Sequence, residues 1–374
     1  MSGVYLDYNA TAPVRPEAIE AVTRALASTG NPSSVHAAGR AARATVETAR
    51  AEVAALVGVK VGSVTFVSGG TEANALAIES ARAAGFERIV VSAADHDATI
   101  ENAKASGLPV EVWPVDGEGL ADLIWLRGAM TQGGRTLVCI ALANNETGVV
   151  QDAAAIAAIV READGWLHLD AVQAAGKIAV DFTALGADTL AVSAHKLGGP
   201  QGVGALIAGT RATVARRLHG GGQERGRRAG TENVAGIAGF GAAATAALRD
   251  LDALQAQAEG RDALAARVTA AGGVVIGQGA PRLPQTLCFA GPGFASELQV
   301  MGLDLAGVMV SAGAACSSGK VKASRVVEAM GLGDLAPYVL RVSGGWATTP
   351  ADWARCGDVW LAAFERHSAR KAVA

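Results

Sequence analysis

Thr189-Leu190-Ala191-Val192-Ser193-Ala194-His195-Lys196-Leu197-Gly198-Gly199-Pro200 is a short apolar run that ends in a polar cluster and a Gly-Gly-Pro breaker. The pattern predicts a buried strand that delivers Ser193, His195 and Lys196 to its carboxyl end, where the chain must turn. In open α/β sheets, ligands sit outside the carboxyl ends of the strands. A lysine held there behind apolar residues loses solvent, so its pKa falls and its amine becomes a usable nucleophile for a carbonyl. Taken alone, Lys196 reads more readily as a surface residue beside a loop. Its neighbours along the chain reverse that.

The same arrangement recurs on both sides. Residues 63–68 alternate as a strand does, and Gly69-Gly70-Thr71-Glu72-Ala73-Asn74 and an alanine-rich helix follow. Strand, Gly-Gly and a helix opened by Thr71 is an arrangement that cradles phosphate on backbone N–H groups, although it reads equally as an ordinary helix cap. Residues 88–92 form a further strand ending near Asp95-His96-Asp97. Residues 110–115 and 136–142 continue the alternation, the second run leading to Asn144-Asn145-Glu146-Thr147-Gly148. Trp166-Leu167-His168-Leu169-Asp170 brings Asp170 to a strand end with Gln173 one turn on, and residues 203–208 add another strand. Strands alternating with helices of about 10–15 residues predict a mostly parallel sheet with right-handed crossovers. Thr71, His96, Asn145, Asp170 and Lys196 then stand at the carboxyl ends of different strands. Scattered surface polar residues would not do that repeatedly.

Composition bounds the rest. The 374 residues, half of them hydrophobic, suffice for two domains, expected as a large domain over 13–250 and a smaller one built from 1–12 with 251–374. Aromatic residues are only 4 %, while Gly and Ala abound, which predicts helices packed closely on the sheet. A helix is expected from Pro16 to Gly30 with Ile19, Val22 and Leu26 on one face. A second should run to about Val57, and a long continuous one from 234 to 271 should lead out of the first domain. Residues 219–233 form a glycine- and arginine-rich loop, expected to be capped by Thr231; it reads either as a flexible surface loop or as an anion contact. A net charge of −3 without a basic tract argues against nucleic acid. No run suits a membrane span and no leader is evident, so a cytoplasmic protein is expected.

The four cysteines form no CxxC pair, so neither a metal site nor a disulfide framework is expected. Cys139 and Cys288 lie in apolar strands and read as core thiols, and Cys356 on an amphipathic helix is ambiguous. Cys316, in Ser311-Ala312-Gly313-Ala314-Ala315-Cys316-Ser317-Ser318-Gly319-Lys320, lies in a small-residue loop, where a lone thiol is a candidate nucleophile.

A phosphate cradle, an aspartate at one strand end and a lysine on the next together suggest pyridoxal 5'-phosphate. That cofactor needs an anion anchor, a carboxylate for its pyridine nitrogen and an amine for its aldehyde. The motifs go further. Tyr5-Leu6-Asp7-Tyr8-Asn9-Ala10-Thr11, Gly30-Asn31-Pro32-Ser33-Ser34, Ser68 to Asn74, Asn144 to Gly148, His168 to Gln173, Ser193-Ala194-His195-Lys196 and Gly230-Thr231-Glu232-Asn233 resemble the cysteine desulfurases of the NifS/IscS type, in the class V branch of fold-type I pyridoxal phosphate enzymes. The likeness runs in register from Tyr5 to Arg341.

The resemblance implies a fold-type I α/β transferase, with a large domain carrying a mostly parallel seven-stranded sheet between helices and a smaller α+β domain. It implies that Lys196 binds the cofactor and shuttles the substrate Cα proton, and that Asp170 pairs with the pyridine nitrogen. Gln173 and Asn145 would hold the phenolic oxygen, and His96 would stack on the ring and assist proton transfers. Gly70, Thr71, Ser193 and His195 would cradle the phosphate, with Thr231 reaching it from the partner of a homodimer. Arg341 would take the substrate carboxylate, with Asn31 and Asn145 near it. Cys316 would attack the sulfur of L-cysteine, yielding L-alanine and a persulfide for a sulfur-acceptor or scaffold protein in iron–sulfur or thiolation pathways. Selenocysteine lyase, or another class V aminotransferase or lyase, is the alternative. Three positions depart from the family pattern: Ser343-Gly344-Gly345-Trp346 in the carboxylate motif, Lys322-Ala323 in the cysteine loop, and Gln223 where a histidine is common.

Overall fold

The structure, a computed structural model, describes residues 3–313 and 323–373. Its largest sheet has seven strands in the spatial order Val64–Val67, Gly204–Ala208, Thr189–Ser193, Trp166–Asp170, Thr136–Ala141, Arg88–Ser92 and Val110–Trp113. Gly204–Ala208 runs antiparallel to both neighbours, and the other pairs are parallel. The strands are apolar and, except at the Val110–Trp113 edge, buried along nearly their whole length, as a sheet covered on both faces requires. Parallel strands bring their carboxyl ends to one edge, and that edge carries the marked residues.

Helices Pro16–Leu26 and Ala37–Leu56 pack on Val234–Arg249. The approach is close: a Cβ on Gly241 would lie 2.6 Å from the Ala49 Cα. This changes the face that Pro16–Leu26 presents. Ala18 and Ala21 are buried, while Ile19 is 55 % and Leu26 72 % exposed, because a ridge of Gly and Ala leaves no room for larger side chains. The first helix ends at Leu26, short of Gly30. The expected helix over 234–271 is three, Val234–Arg249, Leu251–Gln255 and Gln257–Ala270, with a bend of 66° after the first. Asp250 at the break is held by Arg15 at 2.5 Å and by Arg249 at 2.7 Å. Among the described residues no single helix is long and apolar enough to cross a membrane.

The C-terminal part forms a four-stranded antiparallel sheet, Ser311–Ala312, Val339–Ser343, Thr286–Ala290 and Val274–Val275. Helices Gln257–Ala270, Ser296–Leu305 and Pro350–Val373 cover it around a core of Phe289, Trp353, Trp360 and Phe364. Phe289 and Trp360 meet edge to face at 5.0 Å, and the Trp360 indole N–H donates to Gln299 at 2.8 Å, which satisfies its one buried polar atom. The N-terminal strand Val4–Tyr5 pairs in parallel with Val308–Met309. Cys139, Cys288 and Cys356 are all fully buried, which makes Cys356 a core thiol as well.

Candidate active site

The 3-10 turn Ala194–Lys196 that follows strand Thr189–Ser193 turns Lys196 into a cavity of about 620 Å³. Asn9, Gly70, Thr71, Asn74, His96, Asn145, Asp170, Gln173, Ser193, His195 and Arg341 also line it. Residues from seven separate stretches thus converge on one cavity. Lys196 Nζ donates to the main-chain oxygens of Asn9 and Ala10, each at 2.7 Å. Its pKa is pushed down to about 8, chiefly by burial and then by the Arg341 charge, against the opposing pull of Asp7 and Asp170. About a tenth of the amine is therefore neutral at pH 7, far more than for an ordinary lysine.

Asp170 is held by a chain of uncharged groups. The Asn74 amide donates to Asp170 Oδ2 at 2.7 Å, and the Asn74 oxygen meets His168 Nε2 at 3.0 Å. His168 Nδ1 in turn meets the Thr189 hydroxyl at 2.8 Å. Burial holds the His168 pKa at about 4, so the ring is neutral. With Asn74 donating to Asp170, its oxygen must accept from Nε2–H, which leaves Nδ1 to accept from Thr189. Asp95, on the same wall, accepts from the Ser92 and Ala141 N–H groups, and burial pushes its pKa up to about 8.

Helix Gly70–Ala83 opens toward the cavity with Gly69 at its cap and no side-chain capping bond. The helix therefore starts at Gly70, ahead of Thr71. A Cβ on Gly70 would lie 2.7 Å from Val172 Cγ2, so only glycine lets the backbone come this close. Ser193 and His195 stand opposite. Burial, together with the Lys196 and Lys177 charges, holds the His195 pKa at about 4, and His195 Nδ1 lies 3.2 Å from the Thr11 hydroxyl. His96 caps helix Asp97–Ala105, with Nδ1 accepting from Ala98 N at 3.0 Å, which leaves Nε2 for other partners.

Arg341 extends from strand Val339–Ser343 into the same cavity, donating to Asp7 at 2.7 Å and to the Asn145 carbonyl at 3.2 Å. It is 3 % exposed, and its Nε has no partner among the described residues. Such a donor suits a carboxylate. Glu146 beside Asn145 accepts from the Ser324 hydroxyl at 2.6 Å, and burial raises its pKa.

Not every expected residue gathers here. Asn31 is exposed, and its side chain accepts from Ser33 N at 2.9 Å without lining the cavity. Thr231 lines a separate 210 Å³ cavity with Ser68, Arg228 and Asn233, and the cap of the following helix is Asn233 rather than Thr231. Trp346 donates to the Pro13 carbonyl and packs under Arg15, away from the large cavity. Cys316, like Lys322, lies outside the described residues.

Three residues without an assigned role prove central. Asn9 accepts from Gln173 and Lys196 through its main-chain oxygen, donates through Nδ2 to the Asn145 carbonyl and the Thr286 hydroxyl, and takes Lys177 on Oδ1 at 3.1 Å. Asn74 fixes Asp170. Lys177, only 4 % exposed, donates to the Gln173 oxygen and so orients that amide. Its spacing of four from Gln173 inside an apolar run was the available signal.

The sequence matches the class V aminotransferase family over residues 4–354. A protein named cysteine desulfurase from Cereibacter sphaeroides is 40 % identical over 370 residues, covering 96 % of this chain and 95 % of its own. One named cysteine desulfurase IscS, from Dictyoglomus turgidum, is 38 % identical over 360 residues, covering 93 % and 91 %. The chain belongs to the class V aminotransferase family. In structure it resembles a NifS-like protein from Rickettsia africae, with a TM-score of 0.89 at 31 % identity over 97 % of this chain and 99 % of that one. Membership in the class V family agrees with the observed mixed α/β fold, built on a seven-stranded, mostly parallel sheet.

The residues present fit the pyridoxal phosphate on which class V enzymes depend. The uncapped helix start and the close approach at Gly70 suit its phosphate, Asp170 its ring nitrogen and Lys196 its aldehyde. Capture of the cofactor by apoprotein should follow the neutral fraction of Lys196. With the pKa at about 8, the capture rate should rise about fivefold from pH 7 to pH 8 and level off above it. A rate that kept climbing tenfold per unit beyond pH 9 would mean an unperturbed amine. Stopped-flow absorbance reads the difference.

Proposed function

We propose that this chain is a pyridoxal phosphate-dependent L-cysteine desulfurase, which converts L-cysteine to L-alanine and receives the sulfur on Cys316 as a persulfide. The observation that carries the proposal is the convergence of Lys196, Asp170 and Arg341 on one cavity in a chain whose relatives bear that name. When bound, the cofactor supplies an electron sink that acidifies the substrate's Cα–H. Around it, Arg341 would orient the substrate carboxylate through its unpartnered Nε, and the Lys196 amine would take and return the Cα proton. Asp170 would hold the ring nitrogen protonated, and Gln173 and Asn145 would hold the phenolic oxygen. His96, at a helix start on the cavity wall, would cover the ring. The Cys316 thiolate would form a bond to the substrate sulfur as the sulfur–carbon bond breaks, its electron pair passing to the carbon that leaves as alanine.

The same proposal includes a homodimer in which Thr231 serves the partner's site. Thr231 lies outside its own Lys196 cavity, and exposed Ile19, Leu26 and Val35 offer apolar surface for a second copy to cover. The division into 13–250 and 1–12 with 251–374 is supported by the separate core around Trp360. A cytoplasmic site of action is supported by free thiols at the described cysteines, and transfer of sulfur to an acceptor protein for iron–sulfur or thiolation pathways by the likeness to proteins named cysteine desulfurase.

The test is release of alanine and sulfide from L-cysteine with added cofactor and dithiothreitol, wild type beside Cys316→Ser. The variant should keep its yellow cofactor and its substrate-induced spectral change but lose sulfide release. Normal desulfuration by Cys316→Ser would remove the persulfide role. Cofactor binding without cysteine turnover in the wild type would overturn the substrate assignment.

A further inference from the structure

A second cavity, of 20 Å³, shares Lys196 with the large one and is lined also by Lys177, Gln285, Tyr8, Gly344 and Trp346. Gln285 is fully buried, and neither its amide oxygen nor its amide nitrogen has a hydrogen-bond partner among the described residues. A primary amide stripped of water and left with nothing in exchange carries the full desolvation penalty, so native structures rarely retain one. Across the cavity, Lys177 Nζ uses two of its positions, on Asn9 Oδ1 and on Gln173 Oε1. A lysine nitrogen has three positions besides its carbon, so one remains.

The space and its lining both match one molecule. A site of about 10–15 Å³ suffices for a water, and a water needs two to four polar partners. Twenty cubic ångströms lies just above that threshold, far below what a substrate or cofactor occupies. Gln285 supplies a donor and an acceptor, and Lys177 supplies a third partner. A cavity of this size stays dry when its walls are wholly apolar, and here Gln285 and Lys177 interrupt a largely apolar lining.

We propose that this cavity is a binding site for a single ordered water, which joins the Gln285 amide to Lys177 Nζ. The bridge ties the segment next to strand Thr286–Ala290 to the loop that carries Gln173 and Lys177. Lys177 holds Asn9, whose main-chain oxygen holds Lys196. The water thus completes the buried polar network beneath the reactive amine.

Crystals of the cofactor-loaded wild type, at a resolution that shows ordered solvent, test this directly. The expected result is a density peak within hydrogen-bond distance of both the Gln285 amide and Lys177 Nζ. Absence of that peak overturns the proposal. Gln285→Met, similar in length but unable to bond, gives a second reading whose sign discriminates. Loss of a hydrated bridge lowers the melting temperature, whereas removal of an amide from a dry cavity raises it, and a rise overturns the proposal. Should Gln285→Met fail to fold, the wild-type density still decides. Neither readout depends on cysteine turnover, so failure here and failure of the proposed activity are distinguishable.

Discussion

Lys196→Ala is expected to yield a folded protein that captures no visible chromophore and releases no alanine. The loss in turnover should exceed about 10⁴-fold, the upper end of what general acid–base catalysis alone contributes, because the cofactor anchor goes with the base. Folding should survive, since Lys196 stands on a cavity wall and, among the described residues, its side-chain bonds go only to the Asn9 and Ala10 carbonyls. The backbone bond from Ala12 N to the His195 oxygen that fixes this turn is untouched. Lys177 offers no substitute. It is held by Asn9 and Gln173 and lines the small cavity behind rather than the large one. Absorbance after incubation with cofactor, alanine release and circular dichroism measure the three parts separately. Alanine release by the variant would sink the cofactor assignment.

Glu224→Ala should be strongly destabilising although it lies outside the site. Glu224 forms a two-pronged ion pair with Arg50, at 2.6 and 2.8 Å, and also accepts from Phe66 N at 2.8 Å. The two side chains are 3 % and 5 % exposed. Such a pair gains little over an apolar replacement of both partners, but removing one partner strands the other charge, at about 3–5 kcal/mol. Glu47, at 3.2 Å and half exposed, would compensate Arg50 only in part. The pair also pins Glu224 and Arg225 in left-handed backbone conformations, φ 48° and 58°. Their release gives back some strain and frees the loop that leads to Thr231. Denaturant unfolding should show the drop, with Glu224→Gln falling between variant and wild type. Equal stability of Glu224→Ala and wild type would mean that the pair contributes nothing.

Much of the site was legible because a parallel sheet aligns strand ends. Thr71, His96, Asn145, Asp170 and Lys196 each follow an apolar run, and the observed strands bring all five to one cavity. The positions that Asn9 and Asn74 take in the cavity were not legible. Asn9 meets Gln173 across 164 residues and Asn74 meets Asp170 across 96, and no local period encodes such pairings. Thr231 was read as a helix cap because a threonine near a helix start usually is one. Asn233, two residues on, accepts from Gly236 N instead.

Sequence alone determined the alternation of strands and helices, the glycine that opens helix Gly70–Ala83 and the placement of Lys196 just beyond a strand's carboxyl end. Each of these follows from local sterics or from a hydrophobic period of two or 3.6. Tertiary structure decided which face of Pro16–Leu26 is buried, where the helix after Asn233 breaks, and how far the Lys196 pKa falls. Those depend on the close approach of a Gly/Ala ridge, on Arg15 reaching Asp250, and on burial beside Arg341. Packing distances and buried charge arise only once distant segments meet, and no window of sequence contains them.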